Sequence, residues 1–503
     1  LIATLGPATA EVDTIAQMLH EGVRVVRINF SHGGFDWFAK ALDAARAASE
    51  QAGLPLGILG DLSGPKIRVL EVAGDSLQLV RGDHVEVIRD LDTCYRDPET
   101  NIVYLGTTYD EMVEEVEEGQ RLLINDGAIR LLVTEKVAGD DEAGETGPRL
   151  VCSVTTGGEL SAKKGVNLPE TRVGAPSLTE WDRQCVKWSV ENGLDFLALS
   201  FVRRSEDVVQ LRELLKSYGR RGRGIRQENK LPIISKIEKP QAIEDLDGVL
   251  NESDAVMVAR GDLGVEMDLA EVPVLQKRII KKAHDHGKPV IVATQMLESM
   301  IDTATPTRAE VSDVANAIFD GADAVMLSGE TAVGQYPVDA CRVMHATAKA
   351  AESYLFGEAW VGRAPKRLQE TRYRTAALAH GVSTIVGDLR PLYVVMWSEL
   401  GGGARYLSQN RLPTPILAVS SNPVALRQMT LMFGVRPVEM PRPEDSEAFV
   451  GEIDRLLLDN RWAEQGDAVV IVKGEPLGTP GVTNKIRIHY VGDVCKVSWH
   501  VAG

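Results

Sequence analysis

Eight short apolar runs, each ending in polar or glycine-containing sequence, constrain this chain more than any other feature. They are LIATLG from Leu1, VVRINFS from Val25, PLGILGDLSG from Pro55, DFLALSFV from Asp195, LPIISKI from Leu231, DAVMVARGD from Asp254, PVIVATQ from Pro289 and DAVMLSGE from Asp323. Segments with helical spacing lie between them: Glu11–His20, Asp36–Ala52, Glu180–Asn192, Ser205–Tyr218, Val272–His286 and Arg308–Phe319. Strands alternating with helices eight times predict a closed (β/α)8 TIM barrel, since an open sheet rarely sustains such a run. In that barrel every strand's carboxyl end opens onto one mouth.

The mouth is expected to gather Arg27, Asn29, Ser31, Asp61, Lys66, Ser200, Lys236, Glu238, Asp262, Thr294, Ser328 and Glu330. Its densest sector is Leu231–Glu266, where two strands flank a helical segment and both end in charge. Lys236 and Glu238 lie two residues apart, so an extended backbone points them to the same side. Glu238 and Asp262 offer hard oxygen ligands without a His or Cys cluster, which suits Mg²⁺ or Mn²⁺ rather than zinc. Lys236 and Arg27 would add the cationic clamp that a transferring phosphoryl group needs. No Walker loop occurs. Asn316 and Glu330 read as supporting or helix-capping groups. Residue chemistry alone thus reaches a metal-dependent barrel enzyme acting on a phosphorylated anion.

The alternation breaks between the third and fourth runs, where LQLVRGDHVEVI, QRLLINDGAIRLLV and PRLVCSVTT have a β texture. This predicts a β-rich lid domain inserted at residues 68–171, with the barrel formed from 1–67 and 172–357. Residues 358–503 read as an open-sheet α/β domain behind a polar connector over Gly362–Arg374, with a helix over Pro423–Phe433. A length of 503 residues is consistent with several cores. The net charge of −17 argues against a nucleic-acid partner. Five scattered cysteines, Cys94, Cys152, Cys185, Cys341 and Cys495, read as structural thiols in a reducing, cytoplasmic setting. No apolar run is long enough for a membrane helix, so no membrane partner is expected. The start at Leu1, inside a strand, reads as lacking a short natural N-terminal segment.

At these residues the sequence resembles the pyruvate kinase family. The motifs are IATLGPAT (Ile2–Thr9), RINFSHG (Arg27–Gly33), DLSGPKIR (Asp61–Arg68), KKGVNLP (Lys163–Pro169), LSFVR (Leu199–Arg203), ISKIEKP (Ile234–Pro240), MVARGDLGVE (Met257–Glu266), ATQMLESM (Ala293–Met300) and MLSGETAVGQYP (Met326–Pro337), in order along the chain. The resemblance implies transfer of the phosphoryl group of phosphoenolpyruvate to ADP, giving pyruvate and ATP in the last step of glycolysis. It implies that Lys236 stabilises the transferring group, that Glu238 and Asp262 hold the metal, and that Arg27 binds phosphate. The amides of Gly261 and Asp262 would take the substrate carboxylate, while Thr294 and Ser328 flank the methylene carbon. Asn29, His32, Arg68 and Lys164 would contact nucleotide, Lys164 when the lid closes. A homotetramer with a regulatory C-terminal domain is also implied.

Two departures refine the expectation. K⁺-dependent relatives carry threonine and glutamate where this chain has Leu62 and Lys66, so the Lys66 ammonium is expected to occupy the K⁺ place near Asn29, Ser31 and Asp61, and K⁺ is not required. Relatives activated by fructose 1,6-bisphosphate have a hydroxyl-rich loop, whereas this chain has a glycine-rich turn at Ser398–Ala404 with Glu399. The bisphosphate is therefore not expected to activate, and any effector is another phosphate ester or AMP. The competing classes, a lyase or aldolase on a related barrel and a phosphometabolite sensor, fit less well. The first lacks a lid bearing Lys163 and Lys164, and the second has no need of Lys236 and both carboxylates.

Overall fold

The computed structural model describes residues 1–138, 147–219, 231–357, 373–475, 477 and 482–493. All eight apolar runs form parallel strands: β1 (Ile2–Thr4), β2 (Val25–Asn29), β3 (Gly57–Asp61), β4 (Phe196–Leu199), β5 (Ile233–Ile237), β6 (Ala255–Ala259), β7 (Val290–Ala293) and β8 (Ala324–Leu327). They close into a barrel in which each strand pairs with its sequence neighbours and β1 pairs with β8. Alternate residues divide between two cores, as the two-residue period of a strand requires. Ile2, Val25, Leu59, Ile234, Met257, Ile291 and Met326 fill the barrel, while Val26, Ile28, Ile58, Ile233, Val256 and Val292 pack under the surrounding helices.

The helices keep the expected bounds to within about two residues, from Val12–His20 and Phe35–Ala52 to Val272–Asp285 and Arg308–Asp320. The helical segment after β5 is two short helices, Pro240–Glu244 and Leu246–Glu252. Thr179 and Thr307 begin their helices with reciprocal caps to Asp182 and Glu310.

The inserted segment forms an eight-stranded sheet running from Glu71–Val72 to Val166–Asn167, plus a two-stranded ribbon of Ser76–Leu79 with Gly158–Ser161. Its own core includes Val85, Val87, Leu122, Ile124, Leu131, Leu150 and Val154. Both linkers to the barrel are anchored. The Gly64 amide donates to buried Asp182 at 3.2 Å on the way out, and Arg203 binds the carbonyls of Val173 and Ala175 on the return.

Beyond the barrel, β9 (Tyr393–Trp397), β10 (Ile416–Ser420), β11 (Val435–Glu439), β12 (Ala468–Lys473) and β13 (Lys485–Tyr490) form one sheet in the order β11-β10-β9-β12-β13, with only β13 antiparallel. Three local expectations change here. A helix at Arg374–Leu389, not anticipated, shows the buried spacing Ala376, Ala379, Val382 and Val386. The stretch read as a glycine-rich turn is a helix from Gly402 to Gln409, entered through Gly401 at φ 78°. The helix expected to reach Phe433 ends at Met429, where Thr430 Oγ1 donates back to the Arg427 carbonyl. Most of the Gly362–Arg374 connector, Cys495 and the chain past Asp493 lie outside the described residues. The other four cysteines are free and buried. No described helix is long and apolar enough to cross a membrane.

Asp195 joins the C-terminal sheet to the barrel floor. Its fully buried carboxylate accepts from Arg46 Nη2 at 3.1 Å, from Arg427 Nε at 2.8 Å and from the Ile58 amide at 2.9 Å. Asp195→Ala would leave two guanidinium groups facing an emptied low-dielectric pocket. It is expected to lower the free energy of unfolding by about 3–5 kcal/mol; a denaturation midpoint equal to that of the native chain would refute this.

Candidate active site

The expected convergence at the strand ends is present. Arg27 on β2, Asp61 ending β3, Ser200 just past β4, and Lys236 and Glu238 at the end of β5 make one connected group of polar side chains. Arg27 Nε lies 2.6 Å from Asp61 Oδ2, and Lys236 Nζ lies 2.9 Å from Glu238 Oε1, 3.5 Å from Asp61 Oδ1 and 2.8 Å from Ser200 Oγ. The carboxylates are 1% exposed and the two cations 12%. Arg27 also donates to Thr4 Oγ1 from β1, a contact that the sequence reading missed.

Burial and charge settle protonation in opposite senses for the two acids. For Asp61, burial favours the neutral form, but Lys236 and Arg27 outweigh it and hold the carboxyl below its ordinary value. For Glu238, burial dominates over the pull of Lys236, and the negative charge of Asp262 adds to it, so the carboxyl is pushed up. Burial also works against the Lys236 ammonium, yet Asp61 and Glu238 keep it above the usual lysine value. Glu238 Oε2 accepts from the Phe201 amide at 2.6 Å, whereas Oε1 is buried and contacts Lys236 without hydrogen-bond alignment. A carboxylate oxygen left in that condition beside Asp262 suits a divalent cation. Among the described residues no group of three or more His, Cys, Asp or Glu forms a self-sufficient metal cage. A metal held here would draw its remaining ligands from substrate and water, the usual habit of Mg²⁺.

Around the other half of the mouth, Gly261 and Asp262 open the Arg260–Glu266 helix after β6. The Gly261 amide donates to Thr294 Oγ1 at 2.7 Å. Thr294 itself sits at φ 70° with Gln295 at φ 52°, a conformation that a β-branched residue adopts only when its surroundings impose it. Ser328 Oγ is buried without a hydrogen-bond partner, while its amide and that of Leu297 both donate to the buried Glu330 carboxylate. Glu330 thus ties the loops after β7 and β8 together. Asn316 belongs elsewhere: it is exposed on its helix and donates to the Ser312 carbonyl.

The residues expected at nucleotide and monovalent cation are more dispersed. The Ser31 amide donates to Asn29 Oδ1, His32 is exposed, and Arg68 Nη1 donates to the carbonyl of Lys163, next to Lys164. Burial and the charges of Arg68, Arg27 and Lys66 depress the His32 pKa. Lys66 is not paired with Asp61, whose oxygens are occupied by Arg27 and Lys236. Its stem instead lies along the lid's return, where a Cβ on Gly165 would stand 2.7 Å from Lys66 Cε. Leu62 is buried in the core under the helices. In the C-terminal domain, Ser398 Oγ accepts from the Ala404 amide and Glu399 from Ser421.

Comparison with known proteins agrees with this geometry over nearly the whole chain. Residues 1–341 match the family model described as pyruvate kinase, barrel domain, and residues 376–489 match the pyruvate kinase alpha/beta domain. The chain belongs to the pyruvate kinase family. It is 38% identical over 493 residues to a pyruvate kinase of Mycobacterium tuberculosis, covering 98% of each chain. It is 37% identical over 497 residues to one from Corynebacterium efficiens, covering 99% of this chain and 98% of the relative. A pyruvate kinase of Geobacillus stearothermophilus is 37% identical over 494 residues, covering 98% of this chain and 80% of the relative. The chain is accordingly a phosphotransferase of the pyruvate kinase class, with the barrel and C-terminal α/β domain of that family.

The charge arrangement sets a pH-dependent expectation. Asp61→Asn should destabilise the chain near neutral pH by about 1.5–3 kcal/mol, the range for hydrogen bonds to charged groups. Because the folded Asp61 pKa is depressed, that deficit is complete above about pH 4, the unperturbed value, and closes as pH falls through the lower folded value. Equal urea midpoints for Asp61→Asn and the native chain at neutral pH would contradict it.

Proposed function

We propose that the enzyme transfers the phosphoryl group of phosphoenolpyruvate to ADP at the barrel mouth, with a divalent cation, Mg²⁺ or Mn²⁺, held by Glu238 and Asp262. The observation that carries this reading is the buried Arg27–Asp61–Lys236–Glu238 cluster, which pairs a phosphate clamp with an acidic oxygen site in one connected set of contacts.

Arg27 and Lys236 bind the phosphoryl oxygens, and Asp61 orients both cations. The Gly261 and Asp262 amides receive the substrate carboxylate. To do so, the Gly261 N–H turns from Thr294 Oγ1 to the ligand, which frees the Thr294 hydroxyl to face the methylene carbon. In the transfer, the bond from phosphorus to the enol oxygen breaks and a bond from a terminal ADP oxygen forms. The Lys236 ammonium meets the charge that develops on the phosphoryl oxygens. The enolate left behind takes up one proton at its methylene carbon on the side of Thr294, with the Ser328 hydroxyl in the relay. When bound, the divalent cation would add positive charge at the phosphate oxygens. Asn29, His32, Arg68 and, from the lid, Lys164 hold the nucleotide.

We assign 1–67 and 172–357 to the catalytic barrel, 68–171 to the lid and 358–503 to a regulatory domain, in a cytoplasmic homotetramer. An effector would be a phosphate ester or AMP rather than fructose 1,6-bisphosphate, because Ser398 and Glu399 are engaged within their own turn and Glu399 repels phosphate. K⁺ independence rests on the Lys66 charge felt at His32, beside Ser31; substrate entry that draws Arg27 to phosphate would open Asp61 to it.

A coupled assay of pyruvate release from phosphoenolpyruvate tests the reaction: release requires ADP, and release without ADP would refute phosphoryl transfer. Lys236→Met should lower turnover by at least roughly a thousandfold, the scale for losing a transition-state charge donor. Its Mn²⁺ affinity, read by titration calorimetry, should stay within a few-fold of native; native turnover in this variant would overturn the role of Lys236. In a bulky quaternary-ammonium buffer, adding KCl should leave turnover unchanged, and a large activation by K⁺ would eliminate the Lys66 assignment.

A further inference from the structure

The lid touches the barrel away from its covalent linkers through a buried contact that the catalytic scheme does not use. Asn167, in the lid strand Val166–Asn167, donates from Nδ2 to Glu266 Oε1 at 2.7 Å. Both side chains are buried, Asn167 at 6% exposure and Glu266 at 4%. The same Glu266 oxygen accepts from Lys239 Nζ, whose charge also faces the Phe201 ring with 5.7 Å to the centroid. Glu266 Oε2 is buried with no hydrogen-bond partner, so the carboxylate depends on Oε1 for its neutralisation. A second lid loop comes close to the same helix, where a Cβ on Gly127 would meet Val265 at 3.9 Å.

The positions of these residues matter more than their number. Glu266 is the last residue of the helix whose first turn holds Gly261 and Asp262. Lys239 directly follows Glu238, whose Oε2 is held by Phe201. Asn167 follows Lys164 by three residues in the lid. One carboxylate therefore links the lid segment carrying Lys164, the strand end carrying Glu238 and the helix carrying Asp262. Exposing Asn167 by swinging the lid away would leave a buried carboxylate short of one donor, a penalty that favours the seated lid.

We propose that Glu266 is a positioning residue that seats the lid through Asn167, holding the nucleotide-binding half of the site in register with the metal-binding half. This rests on the reading of Lys164 as a nucleotide contact. Phosphoenolpyruvate meets only barrel groups, so its affinity does not depend on the seat, whereas ADP binding and in-line attack do.

Three variants and three readouts test the seat. Asn167→Ala should lower kcat/KM for ADP by about tenfold, equivalent to about 1.4 kcal/mol, while the phosphoenolpyruvate dissociation constant, measured by calorimetry without ADP, stays within about twofold. Asn167→Asp sets two carboxylates against each other and should be worse. Asn167→Asp combined with Glu266→Gln exchanges donor and acceptor, keeps the charge beside Lys239, and should recover most of the lost ADP dependence. Hydrogen exchange should quicken in the Arg121–Ile124 and Val166–Asn167 lid strands of Asn167→Ala without change in the barrel strands. The inference is overturned by native ADP kinetics in both single variants, by an equal loss in phosphoenolpyruvate affinity, by a double variant no better than Asn167→Asp, or by unchanged lid exchange. A native enzyme inactive with phosphoenolpyruvate and ADP would sink the functional reading instead, and lid exchange would still decide whether the seat exists.

Discussion

The buried cluster of Asp61, Arg27, Lys236 and Glu238 is the constraint on which the barrel mouth depends. Two carboxylates and two cations removed from water are tolerable because each is in contact with a partner of opposite sign and further hydrogen bonds come from Thr4, Ser200 and the Phe201 amide. Removing any member leaves another charge in a low-dielectric setting, so the catalytic arrangement and local stability are one problem. The cluster also explains why the acids differ. Asp61 lies between two cations and stays ionised, whereas Glu238 shares its surroundings with Asp262 and favours a further positive charge.

Barrel closure supplies what makes that cluster possible. Arg27, Asp61, Ser200 and Lys236 come from four successive strands of the sheet, and pairing Asn29 with Asp61 and Ala198 with Asp61 sets their heights. Other parts of the mouth rely on strain or on hidden anchors. Thr294 is forced to positive φ beside Gly261, and Glu330 stitches two loops from beneath. The lid is fixed at its linkers by Asp182 and Arg203 and seated by Glu266, so the insertion is attached at three places rather than hanging from two hinges.

Much of the candidate site was readable in the chain because its geometry follows from short-range rules. The two-residue spacing of Lys236 and Glu238 puts both on one side of a strand whatever the fold, and the residue types name the chemistry. Readings failed where the deciding partner was distant. Lys66 was expected against Asp61 from its charge alone, but Arg27 and Lys236 occupy that carboxylate while the lid's Gly165 leaves space for the lysine stem. The glycines at 401–403 looked like a turn because glycine weakens helices, yet Gly401 is a helix entry that only a positive φ provides.

By itself the sequence determined the eight-fold alternation, the insertion point between the third and fourth strands, and the identity of the ionisable groups at the strand ends, because periodicity and side-chain chemistry are local properties. Only the tertiary structure decided which charges meet, which carboxylate is held ionised, and how Asp195 and Glu266 join distant segments. Those outcomes depend on burial and on contacts between residues far apart in the chain, such as Asn167 and Glu266 or Asp195 and Arg427. No local pattern encodes the electric field that such contacts create.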